Sequence, residues 1–432
     1  MMMREYEDGT AAIIEKLREF AVSGVAGYQA SVAQWLTQTQ LNIDDAAKKE
    51  ALQTLFTKSR VALIYGVAGT GKSTMVNYIA NYFGERQKLI LAHTNPAIDN
   101  LKRKVSAQNT EFRTISSQKS RGGQQDFDVL IIDECSTVSN ADLLKVFERT
   151  SFKLIVLVGD VFQIESIQFG NWFKIVRSFL PPESVFELVK PFRTHNAALL
   201  DFWTKVRHLE EGIDEVIAHN GYSASLDELL FTSGQQDEII LCLNYDGLYG
   251  INNVNRFLQS GNKGKSVGWG GATYKVGDPV LFNDIERFKP FIYNNLKGWI
   301  ADIVVHADRI QFDVKLERKV TELDVDGVDL RYVDESTVQF DVFHSGGTDE
   351  DDDATNTAVP FQVAYAVSIH KAQGLEYDSV KVVITEANEE DISHNIFYTA
   401  VTRTRQNLKI FWSPETQLAV LSSLESKKEG RN

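Results

Sequence analysis

Gly66-Val67-Ala68-Gly69-Thr70-Gly71-Lys72-Ser73 meets every fixed position of the phosphate-loop pattern G-x-x-x-x-G-K-[ST]. The apolar run Val61 to Tyr65 before it reads as a buried strand. After it, Met75, Val76, Ile79, Ala80 and Phe83 recur at helical spacing. A strand, a glycine turn and a helix N-terminus surround a polyphosphate with backbone N–H groups and the positive end of a helix dipole. Gly66, Gly69, Thr70 and Gly71 would form the cradle, with Thr74 in the first helical turn. Lys72 would reach the β- and γ-phosphates, and the Ser73 hydroxyl would ligate Mg²⁺. An ordinary glycine turn is the competing reading. The complete pattern, in the context it requires, argues against it.

Working outward, the apolar run Val129–Ile132 ends in Asp133-Glu134. Acidic residues at the carboxyl end of a buried strand point into the crevice where α/β sheets bind ligands. Asp133 can hold Mg²⁺ through water, and Glu134 can orient or deprotonate an attacking water. A third run, Leu154–Val158, ends in Gly159-Asp160 with Gln163 three positions on. That amide can donate to a γ-phosphate oxygen and accept from water. A plain βα loop with a polar tip explains it equally well.

The chain of 432 residues, 43% hydrophobic and 24% charged, fits two or three soluble globular domains. It has no apolar run long enough to span a membrane and no signal-peptide layout at its start. Cys135 and Cys242 alone cannot build a disulfide framework or a four-cysteine zinc site, and a reducing cytoplasm is the simplest setting. The triple methionine start raises the reading that residues 1–45 are the stub of a longer protein. A net charge of −14 argues mildly against nucleic acid as a partner. Part of that acidity is the run Asp349–Asp353, best read as a solvated loop, while Lys102-Arg103-Lys104 and Lys119 with Arg121 are locally basic.

Helices are expected over 11–22, 28–41 and 45–57, forming an extension over 1–57 that could take a protein partner. Strands at Val61–Tyr65, Leu89–Ala92, Val129–Ile132 and Leu154–Val158 alternate with helical segments, the pattern of a parallel sheet covered on both faces. A second series comprises Ile239–Leu243, Val363–Val367, Val380–Ile384 and Leu408–Trp412. Between its first two members, 262–350 is glycine- and aromatic-rich and reads as a β-rich insertion. The expected division is a helical extension 1–57, a first α/β domain 58–190, a second one in two parts (191–261 and 351–415) around the insertion, and a tail 416–432.

Taken together, the phosphate loop, Asp133-Glu134-Cys135-Ser136 and Gly159-Asp160-x-x-Gln163 resemble motifs I, II and III of superfamily 1 helicases. Ala92-His93-Thr94-Asn95-Pro96-Ala97 resembles motif Ia, and Thr114-Ile115-Ser116-Ser117 the short element that follows it. Pro191-Phe192-Arg193-Thr194 resembles motif IV. Ser368-Ile369-His370-Lys371-Ala372-Gln373-Gly374-Leu375-Glu376 resembles motif V, and Tyr398 to Arg405 motif VI. Tyr274–Val280 and Tyr293–Gly298 look like part of the SH3-like inserted domain of the RecD/Dda branch. The resemblance covers residues 58–415. It implies two RecA-like α/β domains, ATP with Mg²⁺ between them, and 5′-to-3′ movement on single-stranded DNA. It implies Arg193 and Arg403 at the γ-phosphate, Glu376 at the nucleotide, and Thr94, Asn95, Thr114, His370 and Gln373 at the strand. An RNA helicase of the same superfamily is one alternative. A nucleotide-dependent switch or scaffold that unwinds nothing is another.

The chain departs from that pattern in three places. No glutamine stands around Ala46–Glu50, where one usually reads adenine; Lys48 sits nearest, so base selectivity is open. Motif III continues as Ile164-Glu165-Ser166 without proline. Residues 104–127, which normally carry a strand-splitting hairpin, are short and polar, with Gly122-Gly123, and leave room for a small one at best. Trp172, Phe173, Tyr249, Trp269, Phe291, Tyr293 and Trp299 are candidates for stacking on bases, Trp269 and Trp299 first, although most are expected in the core.

Overall fold

The structure is a computed structural model that describes residues 2–43, 45–67, 69–162, 172–189, 194, 196–232, 237–283, 287–289, 291–344, 356–386 and 392–429. Gln163, Arg193 and the Asp349–Asp353 run lie outside the described residues. The chain forms two compact units, Met1–His208 with His394–Thr402, and Leu209–Ser393 with Arg403–Asn432.

The first unit opens with helices α1 (Met2–Ala21), α2 (Tyr28–Gln38) and α3 (Ala46–Thr54). Then follow β1 (Val61–Gly66), α4 (Lys72–Tyr82), β2 (Lys88–Ala92), α5 (Asn95–Lys104), β3 (Thr110–Thr114), α6 (Ile115–Lys119) and β4 (Gln125–Ile132). α7 (Asn140–Arg149), β5 (Thr150–Gly159), α8 (Trp172–Val176), β6 (Val185–Leu188) and α9 (Ala197–His208) complete it. Among the described residues six strands make one parallel sheet in the order β3-β2-β4-β5-β1-β6.

Successive strand residues feed opposite faces, which is why these runs are apolar throughout. Ala62, Ile64, Ile90, Val129, Ile131, Val156 and Val158 pack one face with residues of α2 to α5. Val61, Leu63, Tyr65, Leu91, Leu130, Ile132 and Leu157 pack the other with residues of α1, α7 and α8. The N-terminal helices belong to this core rather than standing apart: Ile13 and Leu17 are buried on one side, Tyr28, Val32 and Leu52 on the other. α9 also sits in the first unit, so the division does not fall at 190. Phe202 and Trp203 are buried there, and the Trp203 indole donates to the Val401 carbonyl at 3.1 Å.

The second unit holds α10 (Ile213–His219), β7 (Ser223–Ala224), β8 (Glu238–Cys242), α11 (Ile251–Gly261) and the hairpin β9 (Ser266–Trp269) with β10 (Ala272–Lys275). β11 (Pro279–Phe282), β12 (Lys297–Val305), β13 (Arg309–Leu316), α12 (Glu322–Val325), β14 (Arg331–Asp334) and β15 (Thr337–Phe343) come next. β16 (Phe361–Val363), β17 (Ala366–Ser368) and β18 (Tyr377–Val383) lead to α13 (His394–Val401), which belongs to the first unit; β19 (Thr404–Phe411) and α14 (Pro414–Glu429) end the second. Described strands β17-β8-β18-β19-β7 form a second parallel sheet. β14-β15-β13-β12-β11-β16 form an antiparallel sheet around Phe282, Phe288, Phe312, Phe340 and Phe361.

Two expectations need correction. Val363–Val367 is not one strand, because its halves serve different sheets. β16 runs antiparallel to β11, whereas β17 runs parallel to β8, and the chain changes sheet at Ala364-Tyr365. The Tyr365 hydroxyl donates to Asp278 at 2.9 Å and anchors the change. The antiparallel sheet therefore extends past 350, to Val363. The expected tail 416–432 is largely helical, with Val420 and Leu424 buried.

Gly159, the last residue of β5, marks a close approach. A methyl group there would lie 2.7 Å from the Phe173 ring and 3.3 Å from the Cys135 backbone nitrogen. Gly159→Ala is expected to cost about 1–3 kcal/mol through overpacking, read as a lower thermal midpoint. An unchanged midpoint would mean that Phe173 retreats freely.

Candidate functional site

Because the first sheet is parallel, every strand delivers its carboxyl end to the same edge. Register aligns those ends: Tyr65 stands beside Gly159, Leu91 beside Ile132, Ile132 beside Leu157, and Ala92 beside Thr114. Residues from five separated segments thus gather at one edge.

The phosphate loop leaves β1 at Gly66 and enters α4 at Lys72. Gly69 and Gly71 take φ values of 79° and 82°, a region that favours glycine. Gly66 is crowded, since a methyl there would lie 2.5 Å from the Thr70 hydroxyl oxygen and 3.2 Å from Lys72 Cγ. Lys72 Nζ donates to the Gly66 carbonyl at 2.7 Å and the Val67 carbonyl at 3.0 Å, which folds its ammonium back over the loop. Ser73 and Thr74 follow in the first turn of α4.

β4 ends at Ile132 and hands on Asp133 and Glu134. Asp133 is buried, and burial raises its carboxyl pKa, an effect the Lys72 ammonium opposes. One Asp133 oxygen accepts the Glu134 backbone N–H at 2.8 Å. Glu134 has φ 55° and begins a 3₁₀ turn, Cys135–Thr137, and its half-buried side chain stands beside Asp133 in the chain. Ser73 and Asp133 are the residues here that suit Mg²⁺. A hard cation that keeps waters and takes phosphate oxygens needs few protein ligands, and a buried carboxylate influenced by the nearby ammonium fits that role. Among the described residues no cluster of three or more His, Cys, Asp or Glu could hold a metal by itself.

Asp160 follows β5 and is fixed from several directions. It accepts the Phe162 backbone N–H at 3.1 Å and the Tyr398 hydroxyl at 3.1 Å. The buried Arg207 guanidinium lies 3.9 Å from Asp160, 3.1 Å from Glu187 and 4.8 Å from the Phe162 ring centre. Arg207 was missed in the sequence; Tyr398 was read there as the start of the motif VI resemblance, and nothing local signals its contact across 238 positions.

Thr94, just past β2, and Thr114, at the end of the neighbouring β3, serve as helix caps. Thr94 Oγ1 accepts the Ala97 N–H at 3.3 Å, and Thr114 Oγ1 accepts the Ser117 N–H at 3.1 Å. Each hydroxyl keeps its own proton for an incoming acceptor. Asn95 opens α5, whose last turn carries Lys102, Arg103 and Lys104. Residues 104–127 build the edge strand β3 and the short helix α6, not an antiparallel hairpin.

In the second unit, β17 leads into the segment 368–376. His370 is exposed, and the buried Gln373 amide nitrogen has no partner among the described residues. The Glu376 carbonyl accepts from Lys297 Nζ at 2.9 Å. Arg403 is 2% exposed; its Nη1 donates to the Leu375 carbonyl at 3.3 Å and its own carbonyl accepts the Tyr377 N–H at 3.0 Å.

Several proposed stacking aromatics are core residues. Trp172 and Phe173 are buried under the first sheet and Phe291 in the antiparallel sheet, while Tyr249 is half-buried with its hydroxyl on the Leu226 carbonyl. Trp269 is 9% exposed, and His344 stacks on it at 3.9 Å, so that face is covered. Trp299 and Tyr293 are half-buried. Trp299 lines a cavity of about 320 Å³ with Asp237, Lys297 and Tyr377.

Residues 45–221 match the AAA domain family, and residues 363–410 match the UvrD-like helicase C-terminal domain family. The chain is 23% identical to the RecBCD enzyme subunit RecD of Mycolicibacterium smegmatis, covering 67% of this chain and 51% of that one. It is 23% identical to the ATP-dependent DNA helicase Pif1 of Campylobacter jejuni, over 80% of this chain and 87% of the relative. It therefore spans about half the length of one RecD relative and less of others. Bacteroides Pif1 bound to single-stranded DNA superposes with a TM-score of 0.52 at 17% identity, over 90% of this chain and 98% of that one, and shares its fold.

Proposed function

We propose that this chain, a superfamily 1 helicase of the RecD/Pif1 kind by motif set and fold, is an ATP-driven motor that moves 5′-to-3′ along single-stranded DNA. The observation that carries the reading is one sheet edge where Lys72, the Asp133-Glu134 pair and Asp160 meet beside the capped threonines Thr94 and Thr114. The phosphate cradle and the two helix-capping hydroxyls lie along one edge of the same sheet, three and four strands apart, which supports nucleotide chemistry and strand contact within one unit. The Pif1 relative, by name an ATP-dependent DNA helicase, supports ATP and DNA as the substrates.

In this reading Lys72 leaves the loop carbonyls for the β- and γ-phosphates, Ser73 and Asp133 hold Mg²⁺, and Glu134 orients and deprotonates the attacking water. Bound Mg²⁺ supplies charge neutralisation at the transferring phosphoryl group. Arg403 contributes positive charge to the transition state, with Arg193 and Gln163 in the roles expected of them. Thr94, Asn95, Thr114, His370 and Gln373 grip the strand. Both cysteines are buried free thiols, in keeping with a cytoplasmic setting.

With 104–127 used for an edge strand and a short helix, the first unit has no splitting hairpin in that segment. Movement along single strands should be robust and duplex separation weak or partner-dependent. The test measures ATPase rate without nucleic acid and with single-stranded DNA, single-stranded RNA or duplex. It then compares streptavidin displacement from biotinylated single strands with unwinding of 5′- and 3′-tailed duplexes. Stimulation by single-stranded DNA and displacement toward the 3′ end are expected. Turnover indifferent to nucleic acid would favour a switch, stimulation by RNA alone an RNA motor, and preference for 3′ tails the opposite direction. The net charge of −14 predicts few neutralised phosphates and a shallow salt dependence of binding.

A further inference from the structure

We infer that Lys297, the first residue of β12, is a positioning residue for Arg403: from the inserted antiparallel sheet it pins the peptide group on which the arginine is seated. The inference rests on the reading of Arg403 as a cation of the transition state, and it gives the inserted sheet a part in nucleotide turnover.

The Lys297 backbone belongs to the antiparallel sheet. It stands opposite Leu281 of β11, and its carbonyl accepts the Glu317 N–H at 3.1 Å. Its side chain, 7% exposed, crosses to the start of β18 in the second parallel sheet. An ammonium has three donors and no acceptor. Three acceptors meet it here: Asp237 at 3.3 Å, Glu317 at 3.2 Å and the Glu376 carbonyl at 2.9 Å. The Tyr377 ring faces the charge, its centre 3.7 Å from Nζ.

The Glu376 carbonyl and the Tyr377 N–H belong to one planar peptide group. Lys297 holds the oxygen of that group, and its N–H donates to the Arg403 carbonyl at 3.0 Å. One carbonyl earlier, Leu375 accepts the Arg403 guanidinium at 3.3 Å. Arg403 is therefore seated on two neighbouring peptide groups, and Lys297 pins the one that holds its backbone. Turning that peptide plane would break the bonds at both of its ends. Asp237 closes the arrangement: its other oxygen accepts the Asp378 N–H at 3.0 Å and pairs with Arg405, two residues after Arg403.

A preorganised cation acts best when it already stands where charge develops. With Lys297 truncated, the Glu376 carbonyl loses a charged donor and its peptide plane is free to turn. The Arg403 backbone then loses a fixed seat. A misplacement of about 1 Å can cost on the order of 100-fold in rate. Nucleotide affinity rests mainly on the phosphate loop, which belongs to the first unit, and should change far less.

The test is steady-state ATP hydrolysis by the full chain with Mg²⁺ and single-stranded DNA, in the parent, Lys297→Met, Arg403→Ala and the double variant. Lys297→Met should lower kcat by about 10- to 100-fold and change KM for ATP far less. The double variant should be no slower than Arg403→Ala, because a residue that acts through Arg403 then has nothing left to position. Lys297 and Asp237 both line the cavity of about 320 Å³, so water can enter to solvate Asp237 and the truncated chain is expected to fold. Thermal melting checks this, and Lys297→Gln, which keeps a polar head there, carries the same test where the Met variant does not melt cooperatively. A folded variant with the parent's kcat overturns the inference, and so does a double variant slower than Arg403→Ala by the full Lys297→Met factor, the mark of a brace unconnected to the arginine. Normal turnover by Arg403→Ala would defeat the reading of Arg403 and this inference with it. Lost turnover there beside normal turnover in the Lys297 variant defeats this inference alone.

Discussion

Turnover by an Arg403→Ala chain is expected to fall by about 10³–10⁵-fold, the range an arginine finger contributes, while nucleotide affinity changes far less. The position of Arg403 is set from both ends. Its backbone carbonyl takes the Tyr377 N–H and its guanidinium donates to the Leu375 carbonyl, so the start of β18 and the loop before it hold it on two sides. A guanidinium held this way loses little freedom when it meets a developing charge, which is where preorganised cations act most. Arg403→Lys should rescue poorly, because an ammonium lacks the planar fork. The residue is buried, so truncation also removes packing. Thermal melting separates the two effects: a folded chain with lost turnover supports the finger, and a folded chain with normal turnover removes Arg403 from the chemistry. Arg193 carries the same expectation from the sequence and lies outside the described residues.

Legibility in the sequence followed the range of the forces involved. Strand runs such as Val61–Tyr65 and Val129–Ile132 were readable because both faces of each strand are covered, which leaves no polar residue to interrupt them. The loops at their carboxyl ends were readable because Gly69, Gly71 and Gly159 answer to local backbone geometry and close approach. Contacts made across the fold were not readable. Lys48 appeared only as the residue nearest a missing glutamine; its burial against Gly71 depends on how α3 lies on the first unit. The bond from Tyr398 to Asp160 joins residues 238 positions apart and has no local trace. Trp269 looked available for stacking because glycines surround it, yet His344 covers its face. The break at Ala364-Tyr365 was hidden because Val363–Val367 is evenly apolar, although its two ends answer to sheets of different direction.

Glu134→Gln is expected to keep nucleotide binding and lose about 10²–10⁴-fold in turnover, the usual share of a general base. Glu134 suits this substitution because its backbone is held independently of its carboxylate. Its N–H donates to Asp133 at 2.8 Å, and its carbonyl accepts the Thr137 N–H at 2.9 Å and hydroxyl at 2.8 Å. The left-handed backbone, φ 55°, costs on the order of 1–3 kcal/mol for a non-glycine residue. That cost is common to Glu and Gln, so the amide replaces the carboxylate with shape and strain unchanged. What is lost is the negative charge and, with it, the ability to take a proton. Asp133→Asn, one residue earlier, should behave differently: in the proposed site Asp133 would hold Mg²⁺, so its loss should raise the Mg²⁺ concentration needed for turnover. Measuring nucleotide affinity, Mg²⁺ titrations and single-turnover hydrolysis in both variants separates the two roles. Equal turnover by Glu134→Gln and the parent would remove Glu134 as the base and leave the phosphate loop without an assigned activator of water.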